Sequence, residues 1–115
     1  MLRGFLMKLL IAIVQDEDAG KLMTSLMNEG ISVTKLATTG GFLKAGNTTL
    51  LTGVEKDKLD KAMEIIENVC KSRKQISTAP SPISNSSGGY LPFPVEVVVG
   101  GATVFVLDVD QFKKF

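Results

Sequence analysis

Between Thr38 and Thr49 the chain reads Thr-Thr-Gly-Gly-Phe-Leu-Lys-Ala-Gly-Asn-Thr-Thr, the stretch in which groups able to hold a phosphate and a flat ring are most concentrated. Gly41 to Thr48 comes within one residue of a Walker A loop, but Asn47 stands where the phosphate-binding lysine belongs. The stretch also joins two strand-like runs, whereas a P-loop opens a helix, so hydrolysis of a nucleotide does not follow from it. Glycines still let backbone N–H groups approach an anion without side-chain obstruction. Thr34, Thr38 and Thr39 add hydroxyls, and Phe42 offers a face on which a purine can stack, worth roughly 1 to 3 kcal/mol per base. Asn47 both donates and accepts, the pattern that the N6 amino group and a ring nitrogen of adenine require. Two readings stand side by side: a cradle for an adenine and its phosphate, or an ordinary Gly-rich connection with Phe42 as an apolar tip contact.

The rest of the chain is poor in reactive groups. It has no histidine and a single cysteine, Cys70. Histidine-based triads, His-Cys zinc sites and disulfides within the chain are therefore excluded. Asp108, Asp110 and Glu96 read as solvated carboxylates, and no pair is spaced for acid–base work. Neither a catalytic residue nor a metal site is expected. Lys71, Arg73 and Lys74 could meet a phosphate or a partner, but a basic helix end that complements the helix dipole is the simpler role. Thirteen Lys and Arg against twelve Asp and Glu leave a net charge of +1. That value gives no global attraction to nucleic acid or to an acidic membrane. The apolar run Leu9–Val14 is far short of the roughly 18 residues a membrane span needs. Gln15-Asp16-Glu17-Asp18 stands where a secretory cleavage site should be, so a cytoplasmic location without membrane insertion is expected. Because Met7 would itself make a normal start, residues 1–6 read as an upstream start or an added extension.

One domain over residues 7–115 has to position the Gly-rich stretch. Leu9–Val14 is a continuous branched-apolar run, suited to a central strand buried on both faces. Leu22, Met23, Leu26 and Met27 recur at helical spacing, with Asp16 or Asp18 as the expected cap and Gly30 as the expected stop. Ile31–Thr38 and Thr48–Val54 read as the second and third strands. Leu59, Ala62, Met63, Ile66, Val69 and Cys70 make one stripe of a second helix, which places Cys70 in the core. A loop rich in Ser, Pro, Asn and Gly follows, mobile over about 72–92. Val95–Val99 and Ala102–Leu107 flank Gly100-Gly101, a signal for a tight hairpin. The order predicts an α+β fold: a ferredoxin-like β-α-β-β-α-β sandwich with an additional C-terminal hairpin strand. Two helices cover one sheet face, and the consecutive apolar residues of the strands ask for self-association to cover the other.

The strings Ile11–Asp16, Thr34-Lys35-Leu36-Ala37-Thr38-Thr39-Gly40-Gly41-Phe42-Leu43, Ala45-Gly46-Asn47-Thr48-Thr49 and Pro92–Leu107 together resemble the PII-like cyclic di-AMP receptor family, over residues 7–115. The resemblance implies a homotrimer without catalytic activity or cofactor, with one cyclic di-AMP pocket at each subunit interface and a downstream protein partner. By position it implies ligand contacts from Ser32, Thr34, Gly41, Phe42, Leu43, Asn47 and Gly53. Phe42 and Leu43 would wall a base, Asn47 would read adenine, Thr34 would hold a phosphate, and Gly53 would leave room for close approach. The chain departs from the pattern at Ser32, where relatives often carry arginine, and at Lys114, where some carry glutamine. The competing functional classes are a ferredoxin-like enzyme acting on a nucleotide and a trimeric scaffold without ligand.

Overall fold

A computed structural model describes residues 6–36, 46–77 and 94–115. Eight elements follow the chain: β1 (Met7–Gln15), α1 (Asp16–Asn28), β2 (Thr34–Lys35), β3 (Asn47–Glu55), α2 (Leu59–Cys70), β4 (Arg73–Ser77), β5 (Val95–Val99) and β6 (Ala102–Asp108). A 3₁₀ turn at Lys56–Lys58 leads into α2.

The strands fall into two sheets. Four are ordered β2-β3-β1-β6, every neighbour antiparallel, with β1 and β3 in the middle. This is the expected ferredoxin-like arrangement. It follows from the run Leu9–Val14, whose two faces both need apolar neighbours. Leu10, Ala12 and Val14 point to one side and are buried with Leu50 and Val54 of β3. Leu22 and Leu26 of α1 and Ala62, Ile65, Ile66 and Cys70 of α2 close the same core. Leu10, Leu22, Leu26 and Leu50 are each essentially inaccessible. Each contributes roughly 1.5 to 3 kcal/mol relative to an exposed side chain. The helical stripes match the expected ones except at their rims: Met27 and Met63 are exposed, and Ile65 is buried in addition.

The opposite face of the four-stranded sheet is apolar and left uncovered by the described residues. Ile11 lies between Leu51 and Phe105 in register, and Leu9 lies beside Leu107. Phe105 is 53% and Leu107 43% exposed.

Three local expectations change. Neither Asp16 nor Asp18 caps α1; Gln15 holds the cap position without a side-chain bond. Asp16 instead accepts a hydrogen bond from the Thr48 hydroxyl, and Asp18 turns inward to Arg73. At the other end of α1, Gly30 (φ +75°) does stop the helix. Its N–H donates to Met27 O at 3.0 Å and that of Ile31 to Leu26 O at 3.0 Å, the double closure that a left-handed residue makes possible. The second strand shrinks to Thr34–Lys35.

The third change concerns the C-terminal strands. Val95–Val99 does not fold back on Ala102–Asp108 across Gly100-Gly101. It pairs with Arg73–Ser77, from Arg73 opposite Val99 to Ser77 opposite Val95, in a separate two-stranded ribbon. Arg73–Ser77, expected to open the long loop, is therefore strand, while the rest of that loop from 78 to 93 lies outside the described residues. The two glycines carry the chain from ribbon to sheet. Both have positive φ, +86° and +95°. The Gly100 N–H donates to Gln15 Oε1 at 2.7 Å, and that of Gly101 donates to the Cys70 carbonyl. A Cβ on Gly100 would sit 2.5 Å from Arg73 Nη1 and 2.6 Å from the Lys71 carbonyl oxygen.

Candidate functional site

Of the seven residues singled out from the sequence, the described part of the structure places four. Gly41, Phe42 and Leu43 lie outside it. Ser32, Thr34 and Gly53 come together, and Asn47 does not join them.

The first three line one open cleft of about 350 Å³ on the flank of the sheet. Short strand β2 brings them there: Thr34 pairs with Leu51, and Leu36 N–H donates to Thr49 O at 3.0 Å, so the segment after α1 is held against β3. The Thr52 hydroxyl donates to the Ser32 carbonyl and fixes the approach to that strand. Ser32 and Thr34 are thus exposed on an anchored segment.

Gly53 is the informative member. It lies inside β3, opposite Leu9, where a glycine weakens a strand by roughly 0.5 to 1 kcal/mol relative to alanine. Nothing internal asks for it. Its φ is not positive, and an added Cβ would meet only Met7 Cε at 3.8 Å, ordinary van der Waals contact. The fold tolerates a side chain at this point, so the bare backbone keeps the cleft floor open.

Sequence reasoning missed the apolar part of the lining, Met7 and Leu9 from β1 and Val109 and Phe112 from the segment after β6. That segment is tied back by Val109 N–H donating to Met7 O at 3.3 Å. Lys114, the other departure from the family pattern, is exposed on the same segment. No lysine or arginine is among the described residues lining the cleft.

Asn47 opens β3 six residues before Gly53, about 20 Å away along the strand at roughly 3.3 Å per residue. It faces Gln15 in register and borders a second hollow of about 410 Å³ with Asp16, Glu17, Gly46 and Val99. Asp16 N–H donates to the Gly46 carbonyl at 2.8 Å, so the end of the Gly-rich stretch is clamped to the start of α1. Acceptors dominate this end, as suits an amino-bearing base edge. One chain therefore carries the expected residues in two separate hollows, hydroxyls and bare backbone at one end of β3 and an amide with carboxylates at the other.

Behind the Asn47 end lies a buried ion pair. Asp18 is 5% exposed, and Arg73 Nη2 and Nη1 donate to its two carboxylate oxygens at 2.8 and 3.3 Å. Arg73 Nη1 also reaches the Lys71 carbonyl at 3.2 Å. The bond to Asp18 holds the guanidinium above its ordinary pKa. Arg73 thus ties α1, through Asp18, to the C-cap carbonyl of α2, in line with the expected basic helix end. Lys74 pairs with Glu96 across the ribbon at 3.4 Å. Asp108 is exposed and bonded by Lys8, which holds its carboxyl below the usual range. Cys70 is fully buried in the core, as expected, and its burial, reinforced by the Asp18 charge, pushes the thiol up to about 11. A roomier groove of about 640 Å³ between α2 and β6, bordered by Met63, Cys70 and Val104, contains none of the expected site residues.

No group of three or more His, Cys, Asp or Glu able to hold a metal is present among the described residues. Among them too, no helix is long and apolar enough to cross a membrane.

Comparison with known proteins supplies the frame for this geometry. A solved structure of a functionally unknown protein from Pediococcus pentosaceus ATCC 25745 is 41% identical, with a TM-score of 0.75, over 96% of this chain and 99% of that one. The family profile described as cyclic-di-AMP receptor matches residues 7–115. With that match covering nearly its whole length, the chain belongs to the cyclic di-AMP receptor family.

Proposed function

We propose that the protein is a non-enzymatic cytoplasmic receptor that binds cyclic di-AMP at the subunit interfaces of a homotrimer and signals to a downstream protein by reordering the segment around residues 72–92. The single observation that carries the ligand assignment is Gly53, a glycine inside a strand that neither backbone conformation nor packing requires, beside the hydroxyls of Ser32 and Thr34. The separation of Asn47 from Gly53 supports a shared site. One copy supplies Thr34 and Gly53 for a phosphate and Asn47 of a neighbouring copy reads an adenine, with Phe42 and Leu43 walling a base. The uncovered apolar face around Ile11 and Phe105 supports assembly, since burying such a surface is the common reason for closed oligomers. Reordering of the segment is supported by its position: its described strand, β4, is rooted by Arg73 next to the Asn47 end.

Titration calorimetry with cyclic di-AMP, alongside light scattering, tests the reading. The expected result is saturable binding at one ligand per chain in a trimer, with no turnover of cyclic di-AMP or ATP. Absence of binding, or turnover of either nucleotide, overturns it. Gly53→Ala is expected to keep or raise stability, since the alanine Cβ meets no clash. Binding should nevertheless fall at least tenfold. Unchanged binding would remove Gly53 from the site.

A further inference from the structure

We infer that Phe112 is an aromatic wall of the Ser32–Thr34–Gly53 cleft and stacks on one adenine of the ligand; this rests on the cyclic di-AMP reading above. Neither the resemblance nor the Gly-rich stretch points to this residue. Phe112 lines the same cleft as the two hydroxyls and the bare glycine. It does so from a segment without helix or strand, fastened to β1 by the Val109–Met7 bond. It is 51% exposed and is not part of the hydrophobic core. The fold therefore leaves a large flat ring half in water beside groups suited to a phosphate.

The lining chemistry says what such a ring would take. No cation is among the described residues around the cleft, where a phosphate meets the neutral hydroxyls of Ser32 and Thr34. Binding at this end must then draw on an apolar or aromatic surface. Met7, Leu9 and Val109 supply apolar sides, and Phe112 is the aromatic group among the described lining residues. A cyclic dinucleotide carries two bases. Asn47 lies at the far end of β3, so a ring at the near end addresses the base that Asn47 does not.

Three variants separate stacking from generic packing. Phe112→Ala should lower cyclic di-AMP affinity about fivefold to a hundredfold, the range base stacking on an aromatic ring supplies. Phe112→Leu keeps apolar bulk without a π-face and should lose nearly as much, whereas packing alone would be rescued by leucine. Phe112→Trp places a single tryptophan in a protein that has none. Its emission should quench on titration with cyclic di-AMP, with affinity close to the parent's. All three are expected to keep the parent's oligomeric mass. The inference is overturned if Phe112→Ala and Phe112→Leu bind as tightly as the parent, if leucine restores binding that alanine loses, or if the tryptophan emission is unchanged at saturation. Those results leave the receptor reading intact, because the parent still binds; a parent that binds no cyclic di-AMP overturns both.

Discussion

The four-stranded sheet and the β4–β5 ribbon are built on opposite principles. Strands β1 and β3 lie under two helices and hold residues such as Leu10 and Leu50 out of water altogether. In the ribbon, Ile76, Val95 and Val98 are 69%, 45% and 66% exposed. Two strands without a covered face are marginal alone. The ribbon is fixed at its root, where Arg73 meets Asp18, Gly100 meets Gln15 and Gly101 meets Cys70. The sheet is thus a platform held by its buried core, and the ribbon an arm held by a few polar contacts at its root. The proposed function draws on both, since a signal is a difference between states and a uniformly packed domain has only one.

The sharpest way to break this contrast is at Gly100. Alanine there carries a strained positive φ and a Cβ 2.5 Å from Arg73 Nη1. Gly100→Ala should cost roughly 2 to 4 kcal/mol from left-handed backbone strain and displacement of the root. Hydrogen exchange should quicken in 73–77 and 95–99 more than in β1. Equal acceleration in both would mean that ribbon and sheet unfold as one unit.

Arg73→Ala comes next. It leaves Asp18 buried without its partner. Arg73 is 38% exposed, so solvent screening makes the loss smaller than that for a fully buried pair. Urea unfolding measures it, and Arg73→Lys should recover little because the paired geometry is lost. A midpoint unchanged by Arg73→Ala would show that the root holds without the ion pair.

Cys70 gives a comparison within the platform. Its pKa rises from 9.0 to about 11 on folding. A group raised in this way lends stability that is complete below the unfolded value and is lost as pH climbs through the folded one. Stability should therefore fall by about 2 kcal/mol between pH 9 and 11. Cys70→Ala should flatten that part of the pH profile. Slow labelling by a thiol reagent at pH 8 checks the same burial, and labelling as fast as a free thiol's would contradict it.

The contrast also explains what could be read from the sequence. The platform was legible because burial imposes a pattern: Leu9–Val14 as a central strand, though only its Leu10, Ala12 and Val14 face is buried, and Ala62, Ile66 and Cys70 as one helical stripe. The ribbon was not, because Lys74, Gln75 and Ile76 are all exposed and show no burial period. Gly100-Gly101 signalled its backbone correctly, with positive φ at both residues, yet its partner was chosen by distant contacts to Gln15 and Cys70. Asp16 and Asp18 looked like caps because nothing local reveals that Thr48 and Arg73 approach them. In the candidate site, Ser32, Thr34 and Gly53 were singled out through resemblance, and the structure brings them to one cleft. Phe112 was not singled out, since the segment after β6 has no regular structure from which to infer where a side chain goes.

The central claim, that Asn47 of one copy and Thr34 and Gly53 of another close on the same ligand, is tested most directly by mixing defective halves. Asn47→Ala and Gly53→Val chains, each expected to bind cyclic di-AMP poorly, are co-unfolded in equal amounts, refolded together and titrated by calorimetry. Random assembly into trimers leaves about a quarter of the interfaces with both halves intact, so the account predicts parent-like affinity at about a quarter of the parent's sites. Two weak proteins that stay weak when mixed, despite forming mixed trimers, would show that each site is built within one chain.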